Sequence, residues 1–124
     1  MSAELKKILV ADDTENGREL VRTVLENSGY EVHEAKDGLE ALASARQLLP
    51  DLIILDLHMP GLDGFGVIQQ LRREKAFAAT PIVALTASAM MGDKERAMSL
   101  GFTGYITKPI RLSALRSEVK RLLA

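Results

Sequence analysis

The sequence predicts an α/β domain built on a parallel five-stranded sheet with helices packed on both faces. Two patterns carry that reading. Short apolar, β-branched runs alternate with segments of helical period from end to end, and the runs are too continuously apolar to have a wet face. Size agrees, since 124 residues, 47% apolar and 27% charged, suffice for one core, and no linker, repeat or low-complexity stretch divides them.

Taken in order, Ile8, Leu9, Val10 and Ala11 form the first buried run. Across residues 16–28, Leu20, Val21, Val24 and Leu25 recur at helical spacing, and Gly29 stands where that helix stops. Residues 31–35 alternate, with Val32 and Ala35 as inward candidates. Asp37 and Gly38 turn the chain into a second stripe, Ala41, Leu42, Ala45, Leu48 and Leu49, which Pro50 halts. Leu52, Ile53, Ile54 and Leu55 make the clearest buried strand. After a loop through His58, Pro60 and Gly61, the residues Phe65, Ile68 and Leu71 begin a third helix. Thr80 and Pro81 lead into the strand Ile82, Val83, Ala84, Leu85. A shorter helix then runs from about Met90 to Leu100 and ends at Gly101. Tyr105, Ile106 and Thr107 are the fifth strand, and Leu112, Leu115, Val119 and Leu122 space a final amphipathic helix.

Composition removes several classes of function. The absence of cysteine excludes disulfides, thiolate zinc sites and thiol catalysis. Sixteen basic residues against 17 acidic ones leave a net charge of -1, with no electrostatic footprint for nucleic acid or an anionic membrane. The apolar runs fall far short of the ~18 residues of a membrane span, and the segment from Met1 to Glu4 lacks a signal-peptide pattern. The expectation is a cytoplasmic domain with no direct nucleic-acid or membrane partner.

Polar residues gather at the C-terminal ends of the strands. Asp12 and Asp13 follow the first, Asp56 the third, Thr86 the fourth and Lys108 the fifth. Ligands of open α/β sheets bind outside those ends, at the switch point of the winding. In the flavodoxin-like strand order 2-1-3-4-5, the first and third strands are neighbours there, so Asp12, Asp13 and Asp56 converge with Thr86 and Lys108 beside them. Singly, each has a plain structural role. Asp12 and Asp13 can cap the first helix with Thr14 or Asn16, Asp56 can open the turn at Pro60 and Gly61, Thr86 can end a strand, and Lys108 can be a solvated lysine. Together, three crowded carboxylates require a cation or a proton. An all-oxygen set suits Mg²⁺, with Mn²⁺ as a substitute, rather than zinc. Lys108 and Thr86 supply the charge and the hydroxyl that a bound phosphoryl group wants.

The ordered set Asp12-Asp13, Asp56, Thr86-Ala87 and Lys108-Pro109, with Met59-Pro60-Gly61-Leu62-Asp63-Gly64 after the central aspartate, resembles the receiver domain of two-component response regulators. The likeness runs from Ile8 to the last helix and is of the chemotaxis-regulator kind, with stand-alone cell-cycle regulators and receivers of hybrid kinases as its nearest sub-types. It implies a (βα)5 three-layer sandwich and names Asp56 as phosphoacceptor. It implies Mg²⁺ held by Asp13 and Asp56, with Asp12 assisting and His58 contributing its backbone carbonyl. Thr86 and Lys108 would contact the phosphoryl group, Thr86 and Tyr105 would form the switch, and the Lys108–Pro109 peptide would be cis. The donor would be a sensor histidine kinase or a histidine phosphotransfer protein, and the output a downstream protein target. The chain reads as a single receiver over residues 1–124 with no output domain, monomeric or weakly dimeric when phosphorylated.

Competing chemistries fare worse on the residues. A haloacid-dehalogenase-type phosphatase wants a second acid two positions after its nucleophile, where this chain has His58. A nucleotide or flavin module wants a Gly-rich phosphate nest where this chain offers two aspartates. A degenerate receiver that only binds protein would not need every phosphoryl ligand. His33 reads as a surface strand residue, and Met90 and Met91 as packing beside the switch. Arg111, Arg116, Lys120 and Arg121 read as a solvated face or half of a partner surface.

Overall fold

The computed structural model describes residues 5–87 and 92–124. The elements alternate as β1 (Lys7–Ala11), α1 (Glu15–Asn27), β2 (Glu31–Ala35), α2 (Gly38–Leu48), β3 (Leu52–Asp56), α3 (Gly64–Arg73), a 3₁₀ turn (Lys75–Phe77), β4 (Ile82–Thr86), α4 (Asp93–Ser99), β5 (Gly104–Thr107) and α5 (Leu112–Leu123). All strand pairs are parallel, in the order β2-β1-β3-β4-β5. This is the flavodoxin-like arrangement that the resemblance implied.

Because successive strand residues point to opposite faces, each central strand feeds two cores. Leu9, Ala11, Ile53, Leu55, Ile82 and Ala84 pack with residues of α2, α3 and α4 on one side. Ile8, Val10, Leu52, Ile54, Val83 and Leu85 pack with α1 and α5 on the other. All ten residues of β3 and β4 are buried, as their unbroken apolar runs require. Val32 and Ala35 are both inward but on opposite faces, since they sit three apart. The layers therefore form a three-layer sandwich.

Local chemistry starts the helices. The Asp37 carboxylate accepts the Glu40 amide at 2.8 Å to cap α2, and Asp63 accepts the Gly66 amide at 2.9 Å to cap α3. Gly101, at φ 105°, ends α4 in the left-handed region.

Three stripe residues lie outside the core. Leu20 is 42% exposed, because Val21, Val24 and Leu25 centre the buried face of α1 about a quarter turn away. Leu49 is 59% exposed and caps α2 with φ 49°, so the helix ends before the last residue of its apolar stripe. Leu112 opens α5 at 40% exposure. The expected start of the fourth helix at Met90, and Met91 with it, lies outside the described residues. Among those described, no helix is long and apolar enough to cross a membrane.

Candidate functional site

Register builds the site. Ala11 of β1 pairs with Leu55 of β3, so the next residues, Asp12 and Asp56, leave the sheet side by side. Thr86 pairs with Thr107, so Lys108 emerges beside them. The Lys108 amide donates to the Thr86 carbonyl at 2.7 Å, and the following Lys108–Pro109 peptide is cis.

Asp12 and Thr86 are fully buried and Asp56 is 3% exposed, whereas Asp13 faces solvent. The Lys108 ammonium lies 2.8 Å from Asp56 Oδ2 and 3.2 Å from Asp12 Oδ2. Asp56 Oδ1 accepts the His58 amide at 2.9 Å. Asp12 Oδ1 accepts both the amide and the hydroxyl of Thr14, each at 2.9 Å. So Asp12 stiffens the loop before α1 without capping the helix, and Asp56 does turn its own loop.

Burial opposes ionisation of both carboxyls, and their partners decide the outcome. For Asp56 burial prevails over Lys108 and the His58 amide, helped by repulsion from Asp12, and its pKa is raised. For Asp12 burial is outweighed by the Thr14 amide, Lys108 and the Thr14 hydroxyl, and its pKa is lowered. Burial also opposes the Lys108 ammonium, yet Asp56 and Asp12 more than compensate and raise its pKa.

The acidic set fits a divalent cation. Ligand oxygens of Asp12, Asp13 and Asp56 lie within 4.8 Å of one another. Among the described residues no group hydrogen-bonds buried Asp12 Oδ2, although the Lys108 ammonium lies 3.2 Å away, which leaves a lone pair for a metal. Oxygen donors of this charge suit Mg²⁺ or Mn²⁺. Asp13 also lines an open cleft of about 490 Å³ with Lys36, Leu39, Pro60 and Leu62, which gives access from solvent.

Tyr105 lies on β5 opposite Ala84, partly exposed and packed against the core on the α2, α3 and α4 side. Its hydroxyl is buried with no hydrogen-bond partner among the described residues, and burial, with Asp93 and Glu95 nearby, raises its pKa. The His58 side chain is exposed, and its amide rather than its imidazole touches the site. His33 pairs at the surface with Glu31 at 2.7 Å. Arg111, at the N-cap of α5, and Arg116, Lys120 and Arg121 along the helix are all exposed, with Arg121 paired to Glu118 at 2.9 Å.

Sequence reasoning missed the supports. A Cβ on Gly64 would lie 2.5 Å from the Asp56 carbonyl, so only glycine lets α3 start against the end of β3. Its place in the quoted loop was the available signal. Arg18 donates to the Asp12 carbonyl at 2.9 Å and to Glu34 at 3.0 Å, which nothing in the linear pattern announced.

The model of the response regulator receiver domain matches residues 8–120. The chain is 41% identical over 119 residues to the DNA-binding dual master transcriptional regulator RpaA of Synechocystis, covering 96% of this chain and 49% of that protein. Over 118 residues it is 37% identical to the polar-differentiation response regulator DivK of Brucella ovis, covering 95% of this chain and 96% of DivK. The solved structure of chemotaxis protein CheY4 of Vibrio cholerae superimposes with a TM-score of 0.92 at 35% identity, covering 97% of this chain and 100% of that one.

Proposed function

Because the chain belongs to the response regulator receiver domain family, we propose that Asp56 accepts a phosphoryl group from a phosphohistidine and that the modified domain signals by binding a protein target. Receiver domains are signalling domains rather than enzymes in the usual sense, and as a class they work with histidine kinases and downstream targets. The observation that carries the finer reading is the meeting of Asp56 with Lys108 at 2.8 Å beside two further carboxylates.

In its ionised form the Asp56 carboxylate is already a nucleophile and needs no general base. One of its oxygens attacks phosphorus, the P–N bond breaks, and its electron pair leaves with the donor imidazole; the product is an acyl phosphate. The His58 amide and Lys108 orient the carboxylate, each holding one oxygen. Lys108 also offsets the repulsion between carboxylate and incoming phosphoryl. Asp12, Asp13 and Asp56 would hold Mg²⁺, with the His58 carbonyl as a further oxygen. When bound, Mg²⁺ supplies neutralising charge for the phosphoryl oxygens.

Thr86 follows the new anion in this reading, and Tyr105 turns inward. The surface of α4, β5 and α5 then changes shape for its partner. A coupling of about 1–3 kcal/mol is the usual range for such a link. A small acyl-phosphate donor with Mg²⁺ should add one acid-stable, base-labile phosphate, which chelation suppresses and Asp56→Asn abolishes. Undiminished labelling of Asp56→Asn would refute the assignment.

A further inference from the structure

We propose that Gly17 is a positioning residue for the cation pocket: its missing side chain is what seats the Asp12 carboxylate where it can share a metal ion with Asp13 and Asp56. The inference rests on the reading above, that this pocket takes a divalent cation.

Gly17 lies in the first turn of α1, where a glycine weakens the helix relative to alanine. Local structure gives no reason for it, since the backbone is helical and a side chain would be welcome. The reason is tertiary. A Cβ at this position would stand 2.5 Å from Asp12 Oδ2 and 2.6 Å from Thr14 Oγ1, well inside van der Waals contact. Neither backbone can retreat. The Asp12 amide donates to the Ala35 carbonyl of β2 at 3.2 Å, and its carbonyl accepts Arg18 Nη1 at 2.9 Å. Arg18 is itself tied to Glu34 at 3.0 Å. On the other side, the first bond of α1 runs from the Arg18 amide to the Thr14 carbonyl at 3.1 Å.

The conflict therefore falls on side chains: exposed Thr14 can turn its hydroxyl into solvent, whereas the buried Asp12 carboxylate has no such escape. To clear the methyl, that carboxylate must rotate, giving up the Thr14 amide and hydroxyl and the approach to Lys108. The displaced atom is Oδ2, the buried oxygen that accepts no hydrogen bond among the described residues and can meet a cation. A methyl group at residue 17 thus acts on the metal through Asp12.

Calorimetric titration of MgCl₂ into the full chain tests this, comparing the parent, Gly17→Ala, Asp12→Ala and the double variant. Gly17→Ala should weaken Mg²⁺ about 10-fold, the lower end of what groups supporting a ligand contribute. The same change should cost nothing further once Asp12 is alanine, because the buried atom in conflict is gone and the exposed Thr14 hydroxyl can turn to solvent. In cation-free samples the Thr14 amide resonance should move in Gly17→Ala, reporting the broken bond to Asp12. If Gly17→Ala fails to fold, adding Asp12→Ala should restore folding. Equal Mg²⁺ affinity in parent and Gly17→Ala would overturn the inference, as would the same loss recurring in the Asp12→Ala background, or no rescue of a misfolded variant. A parent that binds no Mg²⁺ would instead bring down the reading beneath it.

Discussion

Removing the ammonium of Lys108 tests the electrostatic account of the pocket most directly. Asp12 and Asp56 are 0% and 3% exposed, and Lys108 bridges them at 3.2 and 2.8 Å. In Lys108→Ala the two carboxylates face each other without it. Two unit charges 4.8 Å apart, the widest separation of the acidic set, repel by roughly 3.5 kcal/mol at an effective dielectric of about 20. The Lys108 side chain is 23% exposed, so water screens part of this, and the loss of stability at pH 7 should be about 2–3 kcal/mol. The sign with pH follows. Without the lysine, Asp56, already raised, rises further above its unfolded value, and Asp12 loses one of the contacts that lower it. The protonated pair then favours folding, so the deficit is full above the raised value and fades as pH falls below it. Saturating Mg²⁺ replaces the missing charge and should return most of the loss. The assay is urea unfolding followed by far-UV circular dichroism, with chelator and then with Mg²⁺. Parent-like stability in chelator would refute the repulsion argument, and a deficit that Mg²⁺ leaves untouched would refute the metal's place between these carboxylates.

Other changes probe the supports. Gly64→Ala puts a methyl 2.5 Å from the Asp56 carbonyl and should cost about 1–3 kcal/mol in urea unfolding while slowing phosphate uptake. Arg72 donates to the Gly101 and Phe77 carbonyls, tying α3 to the end of α4 and to the 3₁₀ turn, so Arg72→Met should lower stability by about 2 kcal/mol. Leu49→Asn should raise stability by about 0.5 kcal/mol, because asparagine tolerates φ 49° at an exposed helix end. Glu34 is held below its ordinary 4.5 by Arg22 and, against burial, by Arg18. Its depressed folded-state pKa adds stability above that ordinary value, lost as pH falls through the folded one. Glu34→Gln should therefore flatten the acid limb of the stability curve, with the Arg18 pair accounting for about 0.5–1 kcal/mol at pH 7.

The alternation of strand and helix, the buried character of β3 and β4, and the polar residue at the end of each strand were legible in the chain, because periodicity and short-range turn chemistry are local properties. The strand order came with the family resemblance. Periodicity fixes a stripe but not its edges, so Leu20, Leu49 and Leu112 were read inward although each is at least 40% exposed.

Pattern alone could not tell Asp12 from Asp13. One carboxylate is sealed under Thr14, Gly17 and Lys108 while the other meets solvent, a difference set by how α1 turns back onto β1. The roles of Gly17 and Gly64 are hidden for a related reason. Each depends on another backbone or side chain passing within 3 Å of an absent Cβ, and no preference of the glycine itself reports that approach. What the sequence determined by itself was which chemical groups stand at the strand ends. Tertiary structure decided their distances, which of them water reaches, and hence which carboxyl is pushed up and which down, because burial and Coulomb interaction depend on groups up to 96 residues apart, as Lys108 and Asp12 are.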